Sequence, residues 1–410
     1  MRFERRAKPQ GYYPTVRIFL RATAAALLAS SVVSFSHDVS ALSVSNTIAV
    51  GSEPTDVAFS PDGTLAYVTN RASGTVSIID TATGLISATV NVTSGPAGVA
   101  VSGTKVVVNN SWATGRPLTV IDRATNAASY INTTAIAEGR GVELSADGNT
   151  AFMVAGVVVA RVNLSTNNVT YSTSAQMSYS EVVVPSTGNY GYLTSYNGGT
   201  ITKFDLTTLA IVNTVTPGFG LIGAQVTPDG STLYVARCTG SVLAYDLATD
   251  TVTSTIPVSG CPYGVDVRSD GSQVFVSRLT ADKVSVIDTA TNTVSEEITV
   301  GAQPAHLDIS PDDSKIYVTN SGNNTISVID LFVPPTTTTT TTIPGSLTPS
   351  TSIAPVPTTI SPASNSSNTL VSSLPTTGGK RDPAFALPVI VLGLIATFAF
   401  ARRHRFDRPN

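Results

Sequence analysis

Histidine is almost missing from this 410-residue chain: there are three, His37, His306 and His404. Cysteine occurs twice, tryptophan once and methionine three times, and only 12% of residues are charged. So few histidines and cysteines exclude a Cys/His metal constellation and a c-type haem motif, and no cofactor is expected. Acid–base chemistry, if present, would have to come from paired carboxylates. The formal charge of −3 shows no basic excess, which argues against nucleic acid as a partner. No stretch carries apolar residues at helical spacing over helix length, so a helical solenoid is excluded.

What the chain has in abundance is a beat. Asp80, Asp122, Asn163, Asp205, Asp246, Asp288 and Asp330 each close a short apolar run, 41 or 42 residues apart. The first unit holds four short runs rich in Val, Ile, Thr and Tyr, at 55–60, 65–70, 75–80 and 85–90. Pro61-Asp62-Gly63 and Thr81-Ala82-Thr83-Gly84 separate them. β-branched and aromatic residues suit a pleated sheet, and Pro-Asp-Gly is turn chemistry. Each unit therefore reads as a four-stranded antiparallel meander, and the period matches a propeller blade. The recurring acids, with Asp62 and Asp229 of the Pro-Asp-Gly turns, read as turn-binding groups.

The last unit, 304–330, lacks a fourth run, while an orphan run at 45–51 precedes the first unit. The orphan resembles fourth runs elsewhere, such as 254–258 and 297–301. It is expected to complete the last blade, near Ile326, and shut a ring of seven blades. The fold class expected is all-β: a seven-bladed propeller over residues 42–333, closed by the N-terminal strand.

Tyr67-Val68-Thr69-Asn70 and Tyr317-Val318-Thr319-Asn320, with Ser60-Pro61-Asp62-Gly63 and the run 287–292, resemble the YVTN-repeat β-propellers, many of them microbial surface proteins. Units two to four drift from the tetrapeptide. The resemblance implies fold and leaves ligand open.

Both ends read as processing segments. Residues 1–41 carry six basic residues, an apolar stretch at 22–35 and small residues before a cut after Ala41, the pattern of a secretory signal. The alternative is an uncleaved anchor, although the stretch is shorter than the roughly 20 residues a spanning helix needs. Residues 334–373 have no charge and no aromatic ring and include seven consecutive threonines, a composition that reads as an extended stalk. Leu374, Pro375, Thr376, Thr377 and Gly378 are followed by an apolar span, 384–401, and a basic tail. This order resembles the cell-wall sorting signal of Gram-positive bacteria. It implies cleavage between Thr377 and Gly378 by sortase, covalent anchoring to peptidoglycan, and a transient transmembrane segment with the C-terminus inside. Without residues 1–41 and 378–410 the chain carries 12 basic and 23 acidic residues, a net of −11.

Cys238 follows the second strand of blade 5, and Cys261 lies in the link into blade 6. In an up-and-down blade these two places open on one face, so the thiols can meet as a disulfide; two free or buried thiols are the alternative. On the same face the repeat is broken by a long loop with Trp112 and Arg116. Arg71, Arg140, Tyr179, Tyr196, Arg237, Tyr263, Arg278 and His306 share that face. Such residues suit a glycan, an anionic small molecule or a protein, and ordinary loop decoration is the plainer reading. The function expected is non-catalytic binding, adhesion or scaffolding outside the cell. A lactonase-like or lyase-like enzyme is the alternative. A metal or convergent carboxylates in the channel would favour the enzyme, and scattered Tyr, Trp and Arg would favour binding.

Overall fold

The computed structural model describes residues 41–111, 118–133, 141–172 and 180–331. They form seven four-stranded antiparallel sheets. Blade 1 comprises Pro54–Phe59, Leu65–Asn70, Thr75–Asp80 and Leu85–Asn91, innermost to outermost. Blades 2 to 6 repeat the pattern with innermost strands Pro96–Val101, Val142–Leu144, Glu181–Val183, Leu221–Val226 and Pro262–Val267. Blade 7 has Pro304–Ile309, Lys315–Asn320 and Thr325–Asp330, and its fourth strand is Val44–Ala49. The pairing sets Thr47 opposite Ser327 and Ile48 opposite Ile326. The ring therefore closes as the orphan run predicted, and closure removes the longest free strand edge.

Second and third strands are buried on both faces because each sheet packs against two neighbours. Tyr67, Val68, Val76 and Ile79 of blade 1 are fully inaccessible. Where blade 7 meets blade 1, Phe59 packs on Tyr317 with ring centroids 4.8 Å apart, beside Ile48, Val68 and Ile326. Outermost strands keep one face in water, so Leu85 is 67% exposed.

The recurring acids bind their turns. Asp80 Oδ1 accepts from both N–H and hydroxyl of Thr83 at 2.8 Å, and Asp122, Asn163, Asp205, Asp246 and Asp288 do the same with the residue three further on. Asp330 instead takes Lys315 Nζ at 2.7 Å. In the first Pro-Asp-Gly turn Asp62 accepts from Ser60 and Thr64, and Gly63 has the positive φ of 68° that the turn needs. These bonds hold the Asp62 and Asp80 carboxyls below the usual range.

One part of the expected fold class is corrected. No helix among the described residues is long and apolar enough to cross a membrane. Every described element is a strand of three to seven residues, far short of the roughly 20 apolar residues a spanning helix takes. The expected C-terminal transmembrane segment has no counterpart among the described residues and is not retained. The wall-anchored localisation and the sortase, peptidoglycan and membrane partners that depended on it go with it. The span 384–401, the pentapeptide Leu374 to Gly378, the stalk and residues 1–40 lie outside the described residues.

Closure makes Ile48 a test of the ring. Ile48→Ala is expected to cost about 2–4 kcal/mol in urea denaturation. Leu85→Ala, on an exposed outer strand, is expected to change stability by less than about 0.5 kcal/mol.

Candidate functional site

The innermost strands place one residue per blade at each level of the central channel. Opposite the first residue of each tetrapeptide slot stand Ala58, Ala100, Glu143, Val183, Gln225, Asp266 and Asp308. Two residues nearer the strand start are Asp56, Gly98, Gly141, Glu181, Gly223, Gly264 and His306. The glycines let neighbouring inner strands approach: a Cβ on Gly223 would lie 2.3 Å from Tyr263 O, and one on Gly264 2.7 Å from His306 Cα. Glu143 of blade 3 feels the charges of Asp56 in blade 1 and Asp266 in blade 6. Blades that are not neighbours meet only at the axis, so these acids converge there.

Most of the acids bridge blades. Val57 N–H and, from blade 2, Val99 N–H each donate to Asp56 at 2.9 Å. Phe59 N–H of blade 1 donates to Asp308 Oδ2 of blade 7 at 2.7 Å. Ile309 N–H of blade 7 donates to Asp266 Oδ2 of blade 6 at 2.8 Å, and Gln225 Nε2 of blade 5 reaches Asp266 Oδ1 at 3.4 Å. Burial raises the carboxyls of Asp266 and Asp308, and the charge of Asp266 raises Asp308 further. Burial pushes Glu143 up to about 8, aided by the charges of Asp56 and Asp266. Asp56 is raised by burial, against the pull of His306 and the two amides.

The channel ends differ. On the face of the second–third loops, Asp56, Arg71, Glu181, Tyr263 and His306 border a small pocket with Thr55 and Ala97. His306 Nδ1 lies 3.8 Å from Asp56 Oδ1, and the Tyr263 ring meets the His306 ring edge-on at 5.3 Å. At the other end Glu143, Gln225 and Asp266 border a cleft of about 290 Å³ with Ser186, Thr227 and Pro228.

Of the residues expected on the binding face, the structure brings Tyr263 and His306 together at the pocket, with Arg71. Cys238 and Cys261 are joined in a disulfide on the same face. Arg237 Nη1 donates to Pro217 O at 3.4 Å. Arg278 is 6% exposed, its guanidinium bound to Ser259 and Glu297, so it braces blade 6 from within. Tyr196 stacks edge-on against Phe219, centroids 4.6 Å apart, and Phe219 is 51% exposed. Trp112, Arg116, Arg140 and Tyr179 lie outside the described residues. The reading of the sequence missed the channel acids Asp56, Glu143, Glu181, Asp266 and Asp308. Their signal was an acid intruding into an apolar inner run, as in Val265-Asp266-Val267. Among the described residues no group of three or more His, Cys, Asp or Glu has the arrangement to hold a metal.

A profile of YNCE-like β-propellers matches residues 266–368, about a quarter of the chain. The solved structure of Kuenenia stuttgartiensis hydrazine synthase superposes with a TM-score of 0.63 at 17% identity, over 68% of this chain and 95% of that one. At that identity the likeness shows the fold. Chains of similar structure number 1823, so the architecture alone does not discriminate function. No curated protein sequence matches the chain.

Removing the Asp56 acceptor strands a seam amide. Asp56→Ala is expected to cost about 1–3 kcal/mol in urea denaturation. Asp56→Asn, which keeps an acceptor oxygen, is expected to recover about half of that loss.

Proposed function

We propose that the chain is a YVTN-type propeller acting as a non-catalytic binding module. Its ligand is a glycan, taken on the face of the second–third loops. The observation that carries this reading is the company kept at the pocket. Tyr263 and His306 stand edge to face, Asp56, Glu181 and Arg71 supply charge beside them, and the exposed Phe219 ring stacks on Tyr196 on the same face. The pocket, about 10 Å³, has room for no more than a water, so the sugar would lie across the face, its C–H side on the exposed Phe219 ring and its hydroxyls toward the polar groups. The Asp56, Asp266 and Asp308 carboxylates support the same reading, because their oxygens are engaged by amides of adjacent strands.

A second reading has one observation in its favour. Carboxylates do converge in the channel, and Glu143, at about 8, has the proton affinity of a general acid. It would make the cleft beside Ser186 and Thr227 a hydrolytic or lyase-type site.

The two readings separate on the full-length chain. A glycan array followed by titration calorimetry is expected to give a saccharide ligand, with Phe219→Ala and Tyr263→Phe each weakening binding tenfold or more, about 1.4 kcal/mol. Saccharide binding unchanged in both variants would sink the binding reading. Turnover of lactone or glycoside substrates that is lost in Glu143→Gln would establish the enzyme instead.

A further inference from the structure

The channel acids make a continuous chain of contacts around one side of the ring. Gln225 of blade 5 contacts Asp266 of blade 6, which accepts from Ile309 N–H of blade 7. Asp308 of blade 7 accepts from Phe59 N–H of blade 1, and Asp56 of blade 1 accepts from Val99 N–H of blade 2. Five blades are thereby linked at the axis, across the seam where the two ends of the ring meet. The belt has one unusual joint: Asp266 accepts from the N–H of Ile309, the residue after Asp308, and both acids hold the same register position, so two carboxyls raised by burial stand side by side in adjacent blades. Two carboxylates repel, so that joint needs a proton between them.

We propose that the inner belt is a proton-dependent clasp, closed while Asp266 and Asp308 share a proton and loosened when that proton leaves to bulk solvent. Among the described residues, the groups facing the joint offer no substitute charge. Asp56 from blade 1 and Glu143 from blade 3 are acids, and Gln225 from blade 5 is neutral. The cationic candidates, His306 and Arg71, stand at the mouth beside Asp56 and Glu181. Among the described residues no Lys or Arg is ion-paired to either member of the joint. After deprotonation the pair would carry two negative charges with Asp56 and Glu143 nearby, and the repulsion acts directly on the strands that carry the seam.

The sign follows from linkage. Asp266, Asp308 and Glu143 are raised above their unfolded values, so their contribution is complete in acid and is lost as pH climbs through the folded values. The turn acids such as Asp62 and Asp229 are lowered, and their contribution is lost only on the acid side. Stability therefore peaks in mild acid and declines through neutrality.

Thermal unfolding of the full-length chain tests this. The wild-type Tm is expected to fall by at least about 5 °C between about pH 5 and about pH 9. Asp308→Asn, whose amide can donate to Asp266 and accept from Phe59 without a titrating proton, is expected to lose at least half of that decline. Asp312→Asn, on a surface turn, is expected to keep it. Near neutral pH the infrared carbonyl band of un-ionised carboxyl is expected in the wild type and weakened in Asp308→Asn. A wild-type Tm that is level or rising over the window overturns the clasp. So does a wild type with no neutral-carboxyl band, or an Asp308→Asn variant with the full decline. If Asp308→Asn does not fold, Asp266→Asn compared with its parent in a Glu143→Gln background decides, because Glu143 alone contributes a slope and a neutral-carboxyl band: a full decline kept in Asp266→Asn overturns the clasp.

Discussion

The structure depends on one pairing, that of Val44–Ala49 with Thr325–Asp330. Each of the other six sheets is made from a single run of chain and can form by local contacts. The seventh must wait for residues nearly 280 positions apart, whose meeting carries a large loop-closure entropy. Once made, the pairing converts a twisted array with two open ends into a ring in which every sheet has two neighbours. The apolar contacts of Ile48, Phe59, Tyr317 and Ile326 then become interior. Their burial holds the seam from the middle of the blades outward.

The axis needs a different solution. Inner strands crowd together there, the four glycines at the upper level leave no side chains to interlock, and backbone amides face a narrow channel. An unpaired amide away from bulk water costs free energy comparable to a lost hydrogen bond. Carboxylates at Asp56, Asp266 and Asp308 satisfy those amides and cross from blade to blade in doing so. The same acids are then desolvated and close to one another, so satisfying the amides raises their proton affinity. Amide pairing and acid–acid repulsion are two consequences of one placement.

The legibility of the fold and that of the site differ for a physical reason. A beat of 41 or 42 residues, the turn acids and the orphan run at 45–51 all follow from interactions between sequence neighbours or between equivalent repeats, and such interactions leave a periodic trace. Asp80 and Thr83 are three residues apart. Ile48 and Ile326 are far apart, yet the missing fourth run of the last unit and the spare run before the first pointed to each other. The channel acids have no such trace. Glu143 meets Asp56 and Asp266 because blades 3, 1 and 6 share an axis, and nothing in residues 141–144 says which way the side chain turns. Arg278 failed in the opposite sense: its loop position suggested exposure, whereas Ser259 and Glu297 draw it inside. The expected membrane span rested on hydropathy and segment order alone, with no second contact to check it, and among the described residues apolar side chains serve sheet packing.

Tyr263 shows how ring architecture turns structural contacts into a surface. Its chain neighbour Pro262 starts the inner strand of blade 6, and Cys261 before that is bonded to Cys238. The disulfide ties the link between blades 5 and 6 to the loop that follows the second strand of blade 5. The ring of Tyr263 is thereby held at one end by a covalent clasp and at the other by the edge-on contact with His306 of blade 7. His306 in turn faces Asp56 of blade 1, whose other oxygen serves blade 2. A side chain at the mouth is thus fixed by contacts that run through five blades, and fixing before binding removes much of the ordering entropy a ligand would otherwise have to offset. The rigidity that closes the ring and the rigidity that a selective pocket requires come from the same few contacts, so a change at the axis must be felt at the mouth.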